Sequence, residues 1–149
     1  MNFRKAVRED TPLIYDFIIE LARYEGLESE VQTSVETLEK SLFDRNSAEV
    51  IFLEENEIAV GFCLYFYNFS TFVGKPGLYI EDLYIKEEYR GRGLGKKMLH
   101  YMVDYAKKED LGRVEWWCLD ENKPSIEFYL SQGAEMMDEW TVFRISNEN

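Results

Sequence analysis

Apolar residues recur along this chain at two spacings, every second position in some stretches and every third or fourth in others, which predicts alternating strands and helices. Strands are predicted over residues 3–7, 49–53, 58–67, 78–85, 114–119 and 140–145, and helices over residues 11–25, 33–43, 94–108 and 122–130. The turn Glu55-Asn56-Glu57 joins two of these strands into a hairpin. An antiparallel start followed by strand–helix–strand units is typical of a mixed α/β fold.

Residues at the predicted helix ends support these boundaries. Asp10 or Thr11 can cap the first helix, and a glycine at position 26 marks its end. Thr33 and Glu36 have the spacing of a capping box. The second helix is therefore predicted to begin at that pair.

The most informative feature of the composition is the net charge. With 149 residues, 46% of them hydrophobic, the chain is expected to form a single domain, residues 1–149, with a polar tail from residue 146. Its 17 basic and 29 acidic side chains give a net charge of −12. That charge argues against nucleic acid and an anionic membrane as partners and is compatible with a cationic ligand, although solubility alone also explains it. Without a signal peptide or a membrane-length apolar run, a cytoplasmic location is expected.

Cysteine and histidine offer little chemistry in this sequence. Cys63 and Cys118 lie inside apolar runs and form no Cys-x-x-Cys pair, so both are predicted to be core thiols, not a disulfide. His100 is the single histidine. No metal site is therefore expected.

The sharpest local feature is the stretch Arg90-Gly91-Arg92-Gly93-Leu94-Gly95, which follows a predicted strand and opens a predicted helix. Glycines let several backbone N–H groups face one point, and the helix dipole adds positive potential there, which favours a phosphate group. Nearby cations would strengthen such a site; they are Arg90, Arg92, Lys96 and Lys97. A plain glycine-rich turn is the alternative. The spacing fits neither the dinucleotide-binding fingerprint nor a P-loop.

Read as Arg-x-x-Gly-x-Gly, this stretch resembles the coenzyme A loop of the GNAT acetyltransferase superfamily. Four further motifs resemble its diamine (spermidine/spermine) acetyltransferase branch: Leu21-Ala22-Arg23-Tyr24-Glu25, Val73-Gly74-Lys75, Tyr79-Ile80-Glu81-Asp82 and Tyr89-Arg90-Gly91. The resemblance runs from about Phe3 to Ile145. Because several separated motifs occur in the right order, it is more specific than one glycine loop.

The resemblance implies a layered α/β GNAT fold. Its sheet would have six to seven mostly antiparallel strands with a splayed parallel central pair, flanked by about four helices. It also implies acetyl-CoA as co-substrate, held at backbone groups of the strand and loop and by two residues from the opposite side. The implied cofactor-binding residues are Leu83, Tyr84, Ile85, Arg90, Gly91, Arg92, Gly93, Leu94, Gly95, Lys96, Asn122 and Ser125.

Two catalytic roles follow from the same resemblance. Tyr129 matches the tyrosine that protonates the departing CoA thiolate, although a core aromatic is the plain alternative in a chain with 10 tyrosines. Glu81 matches a glutamate proposed as general base, acting directly or through water. Both roles make chemical sense, because an alkylamine with a pKa of about 10.4 must lose a proton before it attacks, and a thiolate leaving group needs one.

The pair Glu81-Asp82 is unusual for a strand that is apolar on both faces. Since strand neighbours point to opposite faces, at least one carboxylate should be buried or lie at an irregularity such as a bulge. A buried carboxylate without a partner is costly, which favours a functional cleft, while an exposed edge strand is the alternative.

The resemblance places the acceptor amine against Tyr24, Glu25 and Asp82, with Glu28 and Glu30 in the same connector. A solvated acidic loop is the alternative for these acids. The chain departs from the polyamine branch by having Ser70 and Phe72 where that branch tends to have Asp and Trp, which weakens the case for a long polycation. Family members also pair as homodimers, so a homodimer is expected.

The sequence therefore predicts an acetyl-CoA-dependent N-acetyltransferase acting on a primary amine of a small diamine or polyamine. Another amine is the nearest alternative: a thialysine- or lysine-like amino acid, an antibiotic amine or a protein lysine. An amino-acid acceptor would need a cation for its carboxylate, and Arg23 or Lys75 could provide one. A non-catalytic module that senses acetyl-CoA is the alternative from a different class.

Overall fold

In the computed structural model, which describes residues 1–147, the chain divides into two compact units, one spanning Met1–Trp116 and the other beginning at Trp117. The first unit contains a five-stranded sheet in the order β1-β2-β3-β4-β5. Its strands are β1 (Asn2–Lys5), β2 (Glu49–Glu55), β3 (Ile58–Ser70), β4 (Lys75–Ile85) and β5 (Val114–Trp116). The helices are α1 (Thr11–Tyr24), α2 (Val35–Glu39), α3 (Leu94–Lys108) and, in the second unit, α4 (Lys123–Ser131).

The sheet is antiparallel from β1 to β4, and its last pair, β4 with β5, is parallel. The parallel pair is made possible by the crossover through α3, which packs against β4. This mixed sheet confirms the predicted α/β class. Among residues 1–147 it has five strands, one or two fewer than expected.

The core on one side of the sheet joins α1 to the central strands. Phe17 of α1 is fully buried, and its ring lies 4.9 Å from that of Phe62 on β3 and 5.9 Å from that of Phe52 on β2. Tyr84 of β4 belongs to the same cluster. Burying each such ring contributes about 1.5–3 kcal/mol, so α1 is held firmly against β3 and β4.

Two helix starts differ from the sequence prediction. Asp10 is at the N-cap position of α1, but its carboxylate makes no cap bond to α1. It accepts hydrogen bonds from the Arg4 guanidinium at 2.8 and 3.1 Å and from the Val7 N–H at 2.8 Å. For α2 the cap is Ser34, whose Oγ accepts from the Thr37 N–H at 3.2 Å, one residue later than predicted.

The end of α1 agrees with prediction. The N–H of Leu27 donates to the Ala22 carbonyl at 2.8 Å and that of Gly26 to the Arg23 carbonyl at 3.1 Å. This is a Schellman motif, with Gly26 in the left-handed region at φ +72°. It fixes Glu25, the C-cap residue, at the end of the helix.

Of the two late strands that were predicted, the first is shorter and the second is absent from the described residues. The strand predicted over residues 114–119 ends at Trp116, and Trp117 and Leu119 are more than half exposed. The segment predicted as a strand over 140–145 has no regular secondary structure, and Phe143 and Ile145 are almost fully exposed. The reason is that apolar alternation gives only strand propensity, whereas a strand forms where a neighbouring strand takes up its backbone groups. The last two residues of the predicted polar tail lie outside the described residues.

Neither cysteine forms a disulfide, as predicted, but of the two expected core thiols Cys63 alone is buried. Cys63 is fully buried on β3, where burial and the charge of Asp82 raise the pKa of its thiol. Cys118 is half-buried. Within residues 1–147, none of the helices combines the length and the apolar composition needed to cross a membrane.

Candidate functional site

The end of β4 is the structural centre of the candidate site. The parallel register between β4 and β5 runs from Leu78–Val114 to Ile80–Trp116 and stops there. Strand β4 continues to Ile85 while remaining paired with β3 on its other side. Residues 81–85 therefore present an edge of β4 that the β5 ladder does not cover.

The register shows which backbone groups face that edge. The Lys86 N–H donates to the Val60 carbonyl at 2.9 Å, on the β3 side. Because backbone groups alternate in direction along an antiparallel ladder, those of Tyr84 also face β3, and those of Leu83 and Ile85 face the opposite, uncovered edge. An extended ligand with amide groups can pair there as an added strand would, with both backbone groups of Leu83 and the N–H of Ile85, whose carbonyl accepts from the Arg90 Nε. Of the three strand residues named from the sequence, Tyr84 instead contributes a core side chain.

The carboxylates of Glu81 and Asp82 lie at a β-bulge. Leu64 pairs with Asp82 and Tyr65 with Ile80, so Glu81 is the extra residue of β4. Glu81 is exposed and Asp82 is half-buried. The irregularity predicted from the apolar surroundings of this pair is thus confirmed.

Asp82 has a strongly raised pKa. Burial, together with the charges of Glu81 and Glu25, raises the pKa of Asp82 from 3.8 to about 7. Opposite it stands Leu64, an apolar residue, so the ladder supplies no counter-charge. A carboxyl group with a pKa near 7 can take up or release a proton at neutral pH.

Glu25 brings the end of α1 to the same carboxylates. It is the C-cap residue of α1, and partial burial raises its pKa. Its charge acts on Asp82, which places both in one electrostatic neighbourhood. Tyr24, the last residue of α1, is 57% exposed and its ring lies 6.3 Å from that of Tyr84. Glu28 and Glu30, on a short 3-10 turn, are exposed, and Glu28 pairs with Arg23 at 3.0 Å.

The glycine loop, residues 90–95, follows β4 after a 3-10 turn at Glu87–Tyr89 and leads into α3. Gly91 and Gly93 have φ angles of +77° and +74°, a backbone conformation that other residues rarely adopt. Gly93 is the N-cap of α3 and supplies no side-chain cap. The first-turn N–H groups, those of Leu94, Gly95 and Lys96, consequently have no acceptor within the helix. A Cβ placed on Gly91 or Gly93 would meet no atom within 4 Å, so space is open beside the loop.

Both arginine side chains of the loop have protein partners. The Arg92 guanidinium donates to both carboxylate oxygens of Glu55, at 3.0 and 2.5 Å. The Arg90 Nε donates to the Ile85 carbonyl at 3.0 Å, and its guanidinium lies 4.4 Å from the centre of the Tyr24 ring. We predicted that these two guanidiniums would add positive charge at a phosphate. In the structure both instead bind other groups of the protein. Backbone N–H groups are the donors that the loop offers.

Two exposed lysines remain on the first turn of α3, namely Lys96 and Lys97. Neither takes part in an ion pair with another of the described residues. Cations beside uncapped helix N–H groups suit a multiply charged anion such as a pyrophosphate. The open space, the N–H groups and these lysines together fit the phosphates of a nucleotide cofactor.

The second unit holds the other residues named from the sequence. Asn122 is the N-cap of α4, and its side-chain oxygen accepts from the Ser125 N–H at 3.3 Å. Asn122 and Ser125 thus have a structural role that the sequence analysis did not assign. Tyr129 is half-buried on α4, with its ring 5.5 Å from that of Phe128, and its carbonyl accepts the Ala134 N–H at 3.1 Å.

Two contacts of the site were missed by the sequence analysis. Glu55 binds Arg92, and Tyr24 stacks on Arg90. Each contact joins segments far apart in the chain, and neither has a local pattern of residues that would predict it. In the first unit, one strand end and its following loop thus combine an uncovered backbone edge, an anion site and carboxylates suited to a cation.

The chain is similar to known acetyltransferases. The model of the acetyltransferase (GNAT) family matches residues 13–134. Thialysine N-epsilon-acetyltransferase of Bos taurus is 32% identical, over 97% of this chain and 92% of the relative. L-ornithine N5-acetyltransferase NATA1 of Arabidopsis thaliana is 40% identical over 62% of this chain, and human spermidine/spermine N(1)-acetyltransferase-like protein 1 is 28% identical over 99%. The matches span only 41% and 23% of those two relatives.

Solved structures share the fold. A possible acetyltransferase from Clostridium difficile 630 superposes with a TM-score of 0.82, covering 99% of this chain and 98% of that chain at 20% sequence identity. At that identity the likeness concerns the fold alone.

Proposed function

We propose, from the fact that this chain belongs to the GNAT acetyltransferase family, that its acceptor is a primary amine of a small diamine or polyamine. The enzyme is an acetyl-CoA-dependent N-acetyltransferase, since members of the family take their acetyl group from acetyl-CoA. The reaction forms an amide bond to the amine nitrogen and breaks the thioester. The amine must lose a proton and the thiolate must gain one.

The observation that carries the choice of acceptor is the group of carboxylates Glu25, Glu81 and Asp82. Glu81 and Glu25 both act on Asp82 electrostatically. None of the three forms an ion pair with another residue of the part of the chain that is described. Like charges that lack a counter-charge favour a bound cation, and a diamine brings a second ammonium group besides the one that reacts.

Acetyl-CoA would be held by backbone groups at the end of β4 and at the glycine loop. At the uncovered edge Leu83 offers both backbone groups and Ile85 offers its N–H, which are suited to the amides of the pantetheine arm. The first-turn N–H groups of α3 suit the pyrophosphate, and Lys96 adds charge. From the second unit, Asn122 and Ser125 are proposed to hold the cofactor arm.

Three side chains are proposed to handle protons. Glu81 stands at the bulge as the proposed base for the attacking amine, directly or through water. Asp82, with a pKa raised to about 7, is proposed to bind the ammonium and is also suited to accept its proton. Tyr129 is the proposed acid for the CoA thiolate. Positioning supplies the rest of the rate, because holding amine and thioester together removes a large entropic cost.

An amino-acid acceptor is the second candidate, and it rests on the relatives named for thialysine and L-ornithine. Such an acceptor brings a carboxylate that needs a cation. The two cations considered from the sequence are paired in this structure, Arg23 with Glu28 at 3.0 Å and Lys75 with Asp110 at 2.8 Å. Exposed pairs of this kind are weak, so they disfavour the amino acid only slightly.

Matched acceptors separate the two candidates. Putrescine is ornithine without its carboxyl group, and cadaverine is lysine without it. We expect a higher kcat/KM for each diamine than for its amino acid, measured by CoA release, with thialysine, spermidine and a lysine peptide completing the panel. A higher kcat/KM for the amino acids would instead support the second candidate. Binding of acetyl-CoA without turnover of any amine would support the non-catalytic sensing module.

We further propose that both compact units belong to one acetyltransferase domain that pairs as a homodimer. The family match crosses the boundary between the units, since it covers residues 13–134. Exposed apolar side chains at Phe143 and Ile145 are of the kind that a second copy would cover. Light scattering after gel filtration should give twice the chain mass of 17.7 kDa.

A further inference from the structure

Arg90 connects the glycine loop to the end of α1. It lies at the start of the loop, and its guanidinium carbon is 4.4 Å from the centre of the Tyr24 ring and 5.1 Å from that of Tyr84. Its Nε donates to the Ile85 carbonyl at 3.0 Å. The side chain is thus fixed by two aromatic rings and one backbone carbonyl.

Tyr24 is the counterpart of this contact on α1. It is the last residue of that helix and directly precedes Glu25, whose charge acts on Asp82. Tyr84 ties the pair to the core, since it is buried with Phe17 on the same side of the sheet. One contact therefore joins the segment proposed for the cofactor phosphates to the segment proposed for the amine.

We propose that the Arg90–Tyr24 contact couples the two substrate sites, so that acetyl-CoA bound at the loop tightens the amine site, and the amine tightens the loop. This inference rests on the proposed function. The contact exists only when the loop and the end of α1 both hold the conformations described here. A ligand that favours either conformation thereby favours the other, and the coupling is reciprocal.

The size of the coupling follows from the contact. A guanidinium over an exposed aromatic ring contributes enough to change an equilibrium constant by about two- to fivefold. We therefore expect free CoA to bind Tyr24→Leu about two- to fivefold more weakly than wild type, although no role at the phosphates is assigned to the Tyr24 side chain. In this scheme Tyr24 acts as a positioning residue for the loop.

The test uses CoA alone and does not depend on knowing the amine. In wild type, CoA should slow backbone hydrogen exchange at the end of α1, in residues 21–31, as well as in the loop. In Tyr24→Leu at saturating CoA, the loop should still be protected and the effect on residues 21–31 should be lost. Tyr24→Phe keeps the ring and should restore both the protection and the affinity. Tyr15→Leu makes the same replacement earlier on α1 and should behave as wild type.

The outcomes distinguish this inference from the proposed function. If CoA fails to bind wild type, the proposed function itself is wrong. If CoA binds but leaves exchange at residues 21–31 unchanged, or protects them equally in Tyr24→Leu, the coupling is overturned. Faster exchange at the end of α1 on CoA binding would also overturn it, because that result would mean that the phosphates draw Arg90 away from Tyr24.

Discussion

Asp82 pairs with Leu64 across the β3–β4 ladder, at the point where the bulge at Glu81 interrupts it. The carboxyl group thus stands opposite a buried aliphatic side chain, and burial is the largest cause of its raised pKa. Glu81, at the bulge, is a second acid beside Asp82, and Glu25, the C-cap residue of α1, is a third. The site therefore combines apolar surroundings with like charges, which both favour the neutral form of Asp82.

The first prediction concerns the pH dependence of catalysis. Asp82 binds a cation best when ionised, so kcat/KM for the amine should rise through about pH 7 as its carboxyl group loses its proton. In Asp82→Asn this limb should disappear, while the titration of the amine itself remains. In Glu81→Gln the limb should move to lower pH, because a like charge beside Asp82 is removed. The measurement is the pH profile of kcat/KM with one amine for all variants.

Asp104→Asn is the matched control, since Asp104 is an exposed acid on α3. Its profile should superimpose on that of wild type. A limb near pH 7 that persists in Asp82→Asn would show that another group titrates there. An unchanged rate and profile in Glu81→Gln would remove Glu81 as the base.

The second prediction concerns stability. The pKa of Asp82 is higher in the folded chain, about 7, than its ordinary value of 3.8, so the folded state holds the proton more tightly. This contribution to stability is fully present below about pH 4 and is lost as pH rises through about 7. Asp82→Asn should therefore gain stability relative to wild type as pH rises, by an amount on the order of a few kcal/mol.

Urea unfolding of both proteins at pH 5 and at pH 8 checks this. The difference in the free energy of unfolding between variant and wild type should be larger at pH 8. Asp104→Asn again serves as the control and should show no such trend. A stability difference that is equal at both pH values would mean that burial of Asp82 has little effect on its ionisation.

Much of the fold could be predicted from local patterns. The helical spacing and Gly26 located α1 and its end, and alternation located the hairpin of β2 and β3. The prediction was wrong where the outcome depends on which partner a group meets in the folded chain. Asp10 or Thr11 was expected to cap α1, but the Asp10 carboxylate instead accepts from Arg4 and from the Val7 N–H. The strand expected at 140–145 is absent from the described sheet, because propensity alone provides no neighbouring strand.

The features of the candidate site likewise differ in how well the sequence predicts them. The glycine loop and the irregularity at Glu81 follow from adjacent residues, so sequence reasoning found both. The partners of Arg90 and Arg92 depend on how α1 and the β2–β3 turn pack beside the loop. A guanidinium reaches its partner through four rotatable bonds, and no spacing along the chain specifies that partner.

The third prediction tests Tyr129. If its hydroxyl protonates the CoA thiolate, Tyr129→Phe should lower kcat by about 10²- to 10⁴-fold, the usual contribution of a general acid, and leave the Kd for acetyl-CoA nearly unchanged. Tyr101→Phe is the control, because it removes a hydroxyl from a ring that stacks on Phe3 at 3.9 Å. Turnover by Tyr129→Phe at the wild-type rate would remove the acid assignment.

The fourth prediction tests the loop as an anion site, by comparing two glycines with the same backbone conformation. Gly93 and Gly74 have φ angles of +74° and +76°, and a Cβ on either would meet no atom within 4 Å. Alanine at either position should therefore cost about the same in stability, about 1–2 kcal/mol, from backbone strain alone. Their effects on ligand binding should differ, since Gly93 is the N-cap of α3 and Gly74 ends the β3–β4 turn.

In Gly93→Ala the strain acts on the N–H groups proposed for the pyrophosphate, and the added methyl group enters the open space beside them. A hydrogen bond to a charged group contributes about 1.5–3 kcal/mol, so the Kd for CoA should rise at least about tenfold. In Gly74→Ala the Kd for CoA should stay within about twofold of the wild-type value. Calorimetric titration with CoA gives both values, and urea unfolding checks that the stability losses match. Equal losses of CoA affinity in the two variants would mean that the effect arises from reduced stability, and the N–H groups at Gly93 would then have no special part in binding the phosphates.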